Sequence, residues 1–108
     1  MKVYSAYQDG KLTVFLQGEL DHHGVKESMA AIDRLLDEYL PRSVALDLSG
    51  LSFMDSSGIA LILKLHRKMR DIGGTAWVEH PAEQPLRVID ASGIDRLVQV
   101  AVKEEAKA

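Results

Sequence analysis

The chain has 108 residues, too few for two domains that each bury a core, so we expect one domain spanning residues 1–108. Hydrophobic residues make up 46% of the sequence and charged residues 27%, the balance of a folded globular protein and not of a disordered chain. The net charge is −3 with no long run of one sign, which argues against nucleic acid or an anionic membrane as the main partner.

The absence of cysteine excludes a disulfide framework, a thiolate metal site and a catalytic thiol, and it fits a cytoplasmic protein. The first residues, Met1 to Ser5, lack an apolar stretch behind their charge, so we expect no signal peptide. The longest strongly apolar stretch, residues 59–63, is too short to span a bilayer.

The first predicted elements are a β-hairpin and a helix. The hairpin extends from Lys2 to Gln17 around the turn dipeptide at residues 9–10, and residues 18–21 then interrupt the strand pattern. The helix extends from about Gly24 to Leu40 and is stopped by Pro41. Its apolar residues lie within one arc at the helical period: Val25, Met29, Ile32, Leu35, Leu36, Tyr39 and Leu40.

A buried strand is predicted at residues 43–48, followed by a second helix that starts at Asp55 or Ser56 and ends near Arg70, before two glycines. The remaining predictions are a strand at residues 75–79, a short helix at 83–91, a strand or helix at 96–102, and a polar tail at 103–108 that frays. Strands that alternate with helices predict an α/β fold, with a mixed central sheet covered by amphipathic helices and an opening β-hairpin.

The segment with the most chemical content is Asp55-Ser56-Ser57-Gly58. If Ser56 caps the second helix, its hydroxyl lies at the positive end of the helix dipole, beside backbone N–H groups without partners. Gly58 would leave the backbone uncovered, so that another chain could approach closely. A phosphoryl group on Ser56 would add about −1.5 to −2 charges. From the residues alone, plain helix capping is the commoner explanation of such a short motif.

A helical wheel of the second helix assigns its apolar residues to the core, except Leu61. That leucine falls at the margin, near Ser57 and Lys64, so we predict that it is exposed and contributes to a binding patch. A single exposed leucine is also common without any function. The residues assigned to the core are Ile59, Ile62, Leu63, Leu65 and Met69.

Residues 18–23, Gly-Glu-Leu-Asp-His-His, and residues 51–58, Leu-Ser-Phe-Met-Asp-Ser-Ser-Gly, resemble the two signature stretches of bacterial anti-sigma factor antagonists. These are single-domain members of the STAS group, and the resemblance is closest to the sporulation-type antagonists of the sigma-F pathway. Residues 72–74 and 91–94 also resemble later landmarks of the family. The resemblance covers nearly the whole chain and implies a STAS-like fold.

The resemblance also implies a partner-switching function and no enzymatic activity. The unmodified antagonist binds an anti-sigma factor that is a serine kinase, and so releases a sigma factor. The kinase phosphorylates the serine directly after the motif's aspartate, and a PP2C-type serine phosphatase restores the hydroxyl. That serine corresponds to Ser56. The expected partner-binding residues are Asp21, Asp55, Ser56, Ser57 and Gly58, with Leu61 added from the helical wheel.

Other functions are left open. A hydrolytic triad could combine Ser56 with an aspartate and a histidine, but no Gly-x-Ser-x-Gly elbow surrounds Ser56, and His66 falls on an apolar arc typical of a core residue. The histidines lack metal-ligand spacing, so we expect neither a metal nor a cofactor. A helix N-terminus can hold phosphate, which allows weak nucleotide binding without a Gly-x-x-x-x-Gly-Lys loop. A STAS switch in a stress-response or other pathway is the remaining alternative.

Overall fold

The computed structural model describes residues 1–102, and the predicted fraying of residues 103–108 lies outside them. Within the described part, the predicted α/β fold with an opening hairpin is confirmed. The open assignment at residues 96–102 resolves into the end of a 3₁₀ turn and a very short strand. The strands are β1 (Lys2–Gln8), β2 (Lys11–Leu20), β3 (Ser43–Met54), β4 (Thr75–Glu79) and β5 (Val100–Ala101), the helices are α1 (His22–Tyr39), α2 (Ser56–Asp71) and α3 (Glu83–Ser92), and the 3₁₀ turn is Ile94–Arg96.

The hairpin forms because its turn residues accept a left-handed backbone. Asp9 and Gly10 have φ values of 52° and 83°, as a two-residue hairpin loop of this kind requires. The turn pairs Gln8 with Lys11 and joins β1 to β2 as antiparallel neighbours. All other neighbouring strands in the five-stranded sheet are parallel, and their order follows the chain, β1-β2-β3-β4-β5.

Two strands are longer than the sequence pattern predicts. We expected the strand pattern to break at residues 18–21 and after Leu48, but β2 continues to Leu20 and β3 to Met54. The two polar, glycine-containing stretches pair with each other through irregular register, with Gln17 opposite Gly50. Each looks like a loop by itself, whereas together they satisfy their backbone hydrogen bonds as a bulged ladder. This extension brings the ends of β2 and β3 to the same point.

The core lies on one face of the sheet. Strands β2 to β5 are parallel and follow chain order, so crossovers of the usual right-handed sense place α1, α2 and α3 on that same face. Leu12, Val14 and Leu16 of β2 are fully buried there, whereas Phe15, which points the opposite way, is exposed. Between residues 1 and 102, no helix combines the length and apolarity needed to cross a membrane.

Candidate functional site

Two helix starts lie side by side at the carboxyl ends of β2 and β3. Leu20 and Met54 are register partners in the parallel ladder, and the Asp55 N–H donates to the Leu20 carbonyl oxygen at 3.4 Å. The next residues, Asp21 and Asp55, each cap the helix that follows. Asp21 accepts a hydrogen bond from the Gly24 N–H at 2.8 Å, and Asp55 accepts one from the Ser57 N–H at 2.8 Å. The two caps therefore form adjacent parts of one surface.

Ser56 is the first residue of α2 and is exposed. Of the two caps that the sequence allowed, the structure selects Asp55, so the interpretation of Ser56 as the cap is wrong. An aspartate carboxylate accepts more strongly than a hydroxyl and leaves the serine side chain outside the capping interaction. The Ser56 hydroxyl is thus exposed in the first turn, where backbone N–H groups lack helical partners and the dipole favours negative charge.

The sequence suggested that Gly58 leaves the backbone uncovered. That expectation is wrong, because Gly58 is buried. A Cβ atom built on it would lie 2.3 Å from Met54 Cγ and 3.1 Å from Leu20 Cδ2. Gly24 occupies the equivalent place in α1, where a Cβ would lie 2.4 Å from the Glu19 carbonyl oxygen. The pattern Asp-x-x-Gly occurs at both helix starts and is the sequence signal that indicates two helices pressed against strand ends.

The prediction that Leu61 is exposed is wrong. Its side chain is 1% exposed and belongs to the core, so it cannot contribute to a surface patch in this conformation. The helical wheel placed it at the margin of the apolar arc. However, α2 contacts α1 and α3 as well as the sheet, and neighbouring helices cover a wider arc than a sheet alone would. Ile62, Leu65 and Met69 are buried as predicted. Ile59 and Leu63, which were also assigned to the core, are partly buried.

Sequence reasoning missed Gln84, a positioning residue in the first turn of α3. Its side-chain oxygen accepts from the Met54 N–H at 2.8 Å, and its side-chain nitrogen donates to the Met54 carbonyl oxygen at 3.0 Å. This two-bond contact ties α3 to the last residue of β3, directly before the cap of α2. Glutamine is common on helix surfaces, and its partner lies 30 residues away, so no local pattern indicates the contact.

We expect Gln84→Met to destabilise the protein by about 1–3 kcal/mol, because it leaves both backbone groups of Met54 without partners at similar side-chain volume. Urea unfolding measures the loss, and hydrogen exchange should show a faster Met54 amide. Gln99→Met, at an exposed position, is the matched control. An unchanged exchange rate at Met54 in the Gln84 variant would contradict the positioning role.

The cleft beside Asp21 is acidic. Gly18, Glu19, Asp21, Glu27 and Ser52 contribute to its lining. The hydrogen bond from the Gly24 N–H holds the pKa of Asp21 below its usual value, so this carboxylate is charged at neutral pH. The N-terminal ammonium of Met1 lies 3.9 Å from the Glu27 carboxylate, which is itself exposed. The carboxylates of Glu19, Asp21 and Glu27 give the cleft a negative charge, which the N-terminal ammonium of Met1, also in the lining, partly offsets.

Among the described residues, no hydrogen bond joins a histidine to Ser56 as a hydrolytic triad would require. His80 Nδ1 lies 3.3 Å from an Asp47 oxygen, and both ring nitrogens of His66 are buried without a partner. Burial by itself would raise the pKa of Asp47, but hydrogen bonds from Ser49 and His80 outweigh it and lower the pKa. Asp47 therefore serves as an internal acceptor in β3. Asp47, Glu79 and His80 lie close enough together to form a metal-ligand group. However, the Asp47 carboxylate already accepts hydrogen bonds from Ser49, and the Glu79 carboxylate accepts one from Trp77.

The comparisons with known proteins identify the family of this chain. The profile of the STAS domain family matches residues 5–107. An anti-sigma F factor antagonist from Lysinibacillus sphaericus is 33% identical over 95 residues, which cover 88% of this chain and 81% of that protein. The fold is similar to the anti-sigma factor antagonist SpoIIAA in its unphosphorylated form, with a TM-score of 0.77 at 28% identity, covering 97% of this chain and 92% of that one. The phosphorylated form of the Bacillus cell fate determinant SpoIIAA matches with a TM-score of 0.70 at 28% identity, covering 97% and 96%.

Proposed function

Because the chain belongs to the STAS domain family, we propose that it is an anti-sigma factor antagonist whose binding is switched off by phosphorylation of Ser56. The observation that carries this proposal is the position of Ser56, exposed in the first turn of α2 and directly after the Asp55 cap. The same serine follows the aspartate of the family motif. The names of the relatives, which include both phosphorylation states of SpoIIAA, support the assignment.

The proposed cycle has two partners of this chain, an anti-sigma factor serine kinase and a phosphatase. Unmodified protein binds an anti-sigma factor serine kinase and so releases a sigma factor, in a pathway of the sporulation type. The kinase transfers the γ-phosphoryl group of ATP to the Ser56 oxygen, the hydroxyl proton leaves, and ADP is the other product. A PP2C-type serine phosphatase hydrolyses the ester and restores the hydroxyl. Sigma factors act on RNA polymerase in the cytoplasm, so the proposed role includes a cytoplasmic location for this chain.

The local electrostatics explain how one modification can act without refolding the domain. A phosphoryl group adds about −1.5 to −2 charges, which the N-terminus of α2 tolerates because its N–H groups and dipole favour an anion. In a partner interface the same charge must lose its hydration, which costs several kcal/mol unless a cation contacts it. The adjacent carboxylates of Asp21 and Asp55 add further repulsion.

The partner surface proposed here comprises Asp21, Asp55, Ser56 and Ser57. Gly58 is removed from it as a contact, because it is buried, and is retained as the residue that lets α2 start against Met54. Exposed Phe53, at the end of β3, adds an apolar element to the same edge. A mixed apolar and polar surface of this kind is typical of regulated protein interfaces.

We expect Ser56→Ala to abolish phosphorylation while leaving the fold intact, since Asp55 and not Ser56 caps α2. The measurement is the intact mass after incubation with the cognate kinase and ATP. One phosphate should appear on the wild type and on Ser57→Ala, and none on Ser56→Ala. A phosphate that persists on Ser56→Ala but is missing from Ser57→Ala would shift the site by one residue and contradict the proposal.

A further inference from the structure

The two most exposed large apolar side chains among the described residues lie in one cleft, at the end of α1 and α2 opposite Ser56. Leu40 is 77% exposed and Ile72 is 68% exposed. Leu36 and Met69 contribute to the cleft between them, which has a volume of about 570 Å³. We call this surface the C-terminal cleft. A single exposed apolar side chain needs no explanation, but two that line one cleft with an apolar floor indicate a contact surface.

The rim of the C-terminal cleft is negative. Asp37 and Asp71 line it, and between residues 1 and 102 neither carboxylate has a cation within salt-bridge distance. The one lysine of the lining, Lys68, already pairs with Asp33 and so contributes no free positive charge. The last turn of α1 has no basic residue, so the negative end of its dipole is not compensated there.

The backbone at Leu40 indicates that helix capping does not explain this residue. Leu40 is the C-terminal cap of α1 with φ 47° and ψ 52°, in the left-handed region where glycine or asparagine is the usual choice. The sequence placed Leu40 on the apolar arc that faces the core, and that expectation is wrong, because the left-handed turn directs its side chain to solvent. Leucine at this position therefore adopts an unfavourable backbone conformation, and its side chain is not buried in return.

We propose that the C-terminal cleft binds a basic amphipathic segment of a partner protein. The apolar floor accepts leucine-like side chains at helical spacing, and the carboxylates of Asp37 and Asp71 accept lysine or arginine at the rim. A second copy of the chain fits less well, because an isologous contact would place the acidic rims of two chains carrying −3 each against one another. An anionic lipid surface is repelled by the same rim.

This contact goes beyond the proposed antagonist function, since it does not involve Ser56. The cleft residues at the end of α2 begin at Lys68, 12 residues after Ser56, and end at Ile72, so they lie about 18–24 Å from Ser56 at 1.5 Å per residue. This distance exceeds the Debye length of about 8 Å at physiological salt, so a phosphate on Ser56 has little electrostatic effect at the cleft. A partner held here would remain bound in both states of the switch.

The test is a titration of the ¹⁵N-labelled full chain with a synthetic lysine–leucine amphipathic peptide of about four helical turns. We expect amide shifts confined to the last turns of α1 and α2. Asp37→Lys combined with Asp71→Lys should weaken binding about tenfold. Leu40→Asn should weaken it while the melting temperature stays equal or rises, because asparagine suits the left-handed cap. Ser56→Asp should leave the affinity unchanged.

Asp90→Lys combined with Asp95→Lys is the matched control for charge, and Leu97→Ser is the control for apolar surface; all three positions are exposed and away from the cleft. Four results would overturn the proposal. The first is equal binding of a peptide with glutamate in place of lysine, and the second is amide shifts spread over the whole surface. The third is unchanged peptide affinity in the Leu40 and aspartate variants. The fourth is dimerisation, or binding to anionic vesicles, that Leu40→Asn abolishes. The last result would assign the cleft to a second copy or to a lipid surface.

Discussion

Protein phosphorylated on Ser56 should bind the proposed anti-sigma factor kinase about a hundredfold more weakly than the unmodified protein, a difference of roughly 3 kcal/mol. The added charge lies at an exposed position beside the carboxylates of Asp21 and Asp55, so docking would bury a dianion next to two existing negative charges. The fold remains, because the N-terminus of α2 tolerates the phosphate. Calorimetry with both purified forms measures the difference.

Ser56→Asp should weaken the same interaction by a smaller factor, about tenfold, since it adds one charge where phosphate adds nearly two. Ser5→Asp adds an equal charge at an exposed position on β1 and is the matched control. The loss of affinity caused by Ser56→Asp should be smaller at high salt. The reduction should be greater the more the added carboxylate remains exposed in the complex. Equal affinities for the phosphorylated and unmodified proteins would disprove charge exclusion as the mechanism.

Gly58→Ala should destabilise the protein by about 1–3 kcal/mol, against the gain of about 1 kcal/mol that alanine usually brings to a helix interior. The new methyl group would lie 2.3 Å from Met54 Cγ and 2.6 Å from its sulfur. Met54 is fully buried, and its backbone is held by Gln84, so it has little room to move away. The start of α2, and with it Ser56, should shift.

Urea unfolding measures this loss, and the phosphorylation rate reports the shift of Ser56. Ala60→Gly, at an exposed position in the same helix, gives the size of the propensity effect alone. The double variant Met54→Ala with Gly58→Ala should be more stable than the sum of the two single changes predicts, because the truncation removes the clash. Strict additivity would show that the steric explanation is wrong.

The local signals in the sequence were sufficient for most of the architecture. Asp9-Gly10 predicts the hairpin because few residues accept the left-handed backbone of its turn, and Pro41 limits the first helix because proline cannot continue it. Asp55 before Ser56 predicts a helix start through the chemistry of capping, although the choice of cap between the two needed the structure. These features depend on neighbours within a few residues.

Burial and long-range pairing were decided only by the tertiary structure. The polar ends of β2 and β3 become strands because they pair with each other, and Leu61 is buried because α2 lies between other helices. Gly58 is buried against Met54 rather than open to a partner, and Gln84 contacts Met54, two residues before Ser56, across 30 residues. A periodic pattern reports which side of a helix is apolar, but coverage of that side depends on contacts between segments far apart in the chain.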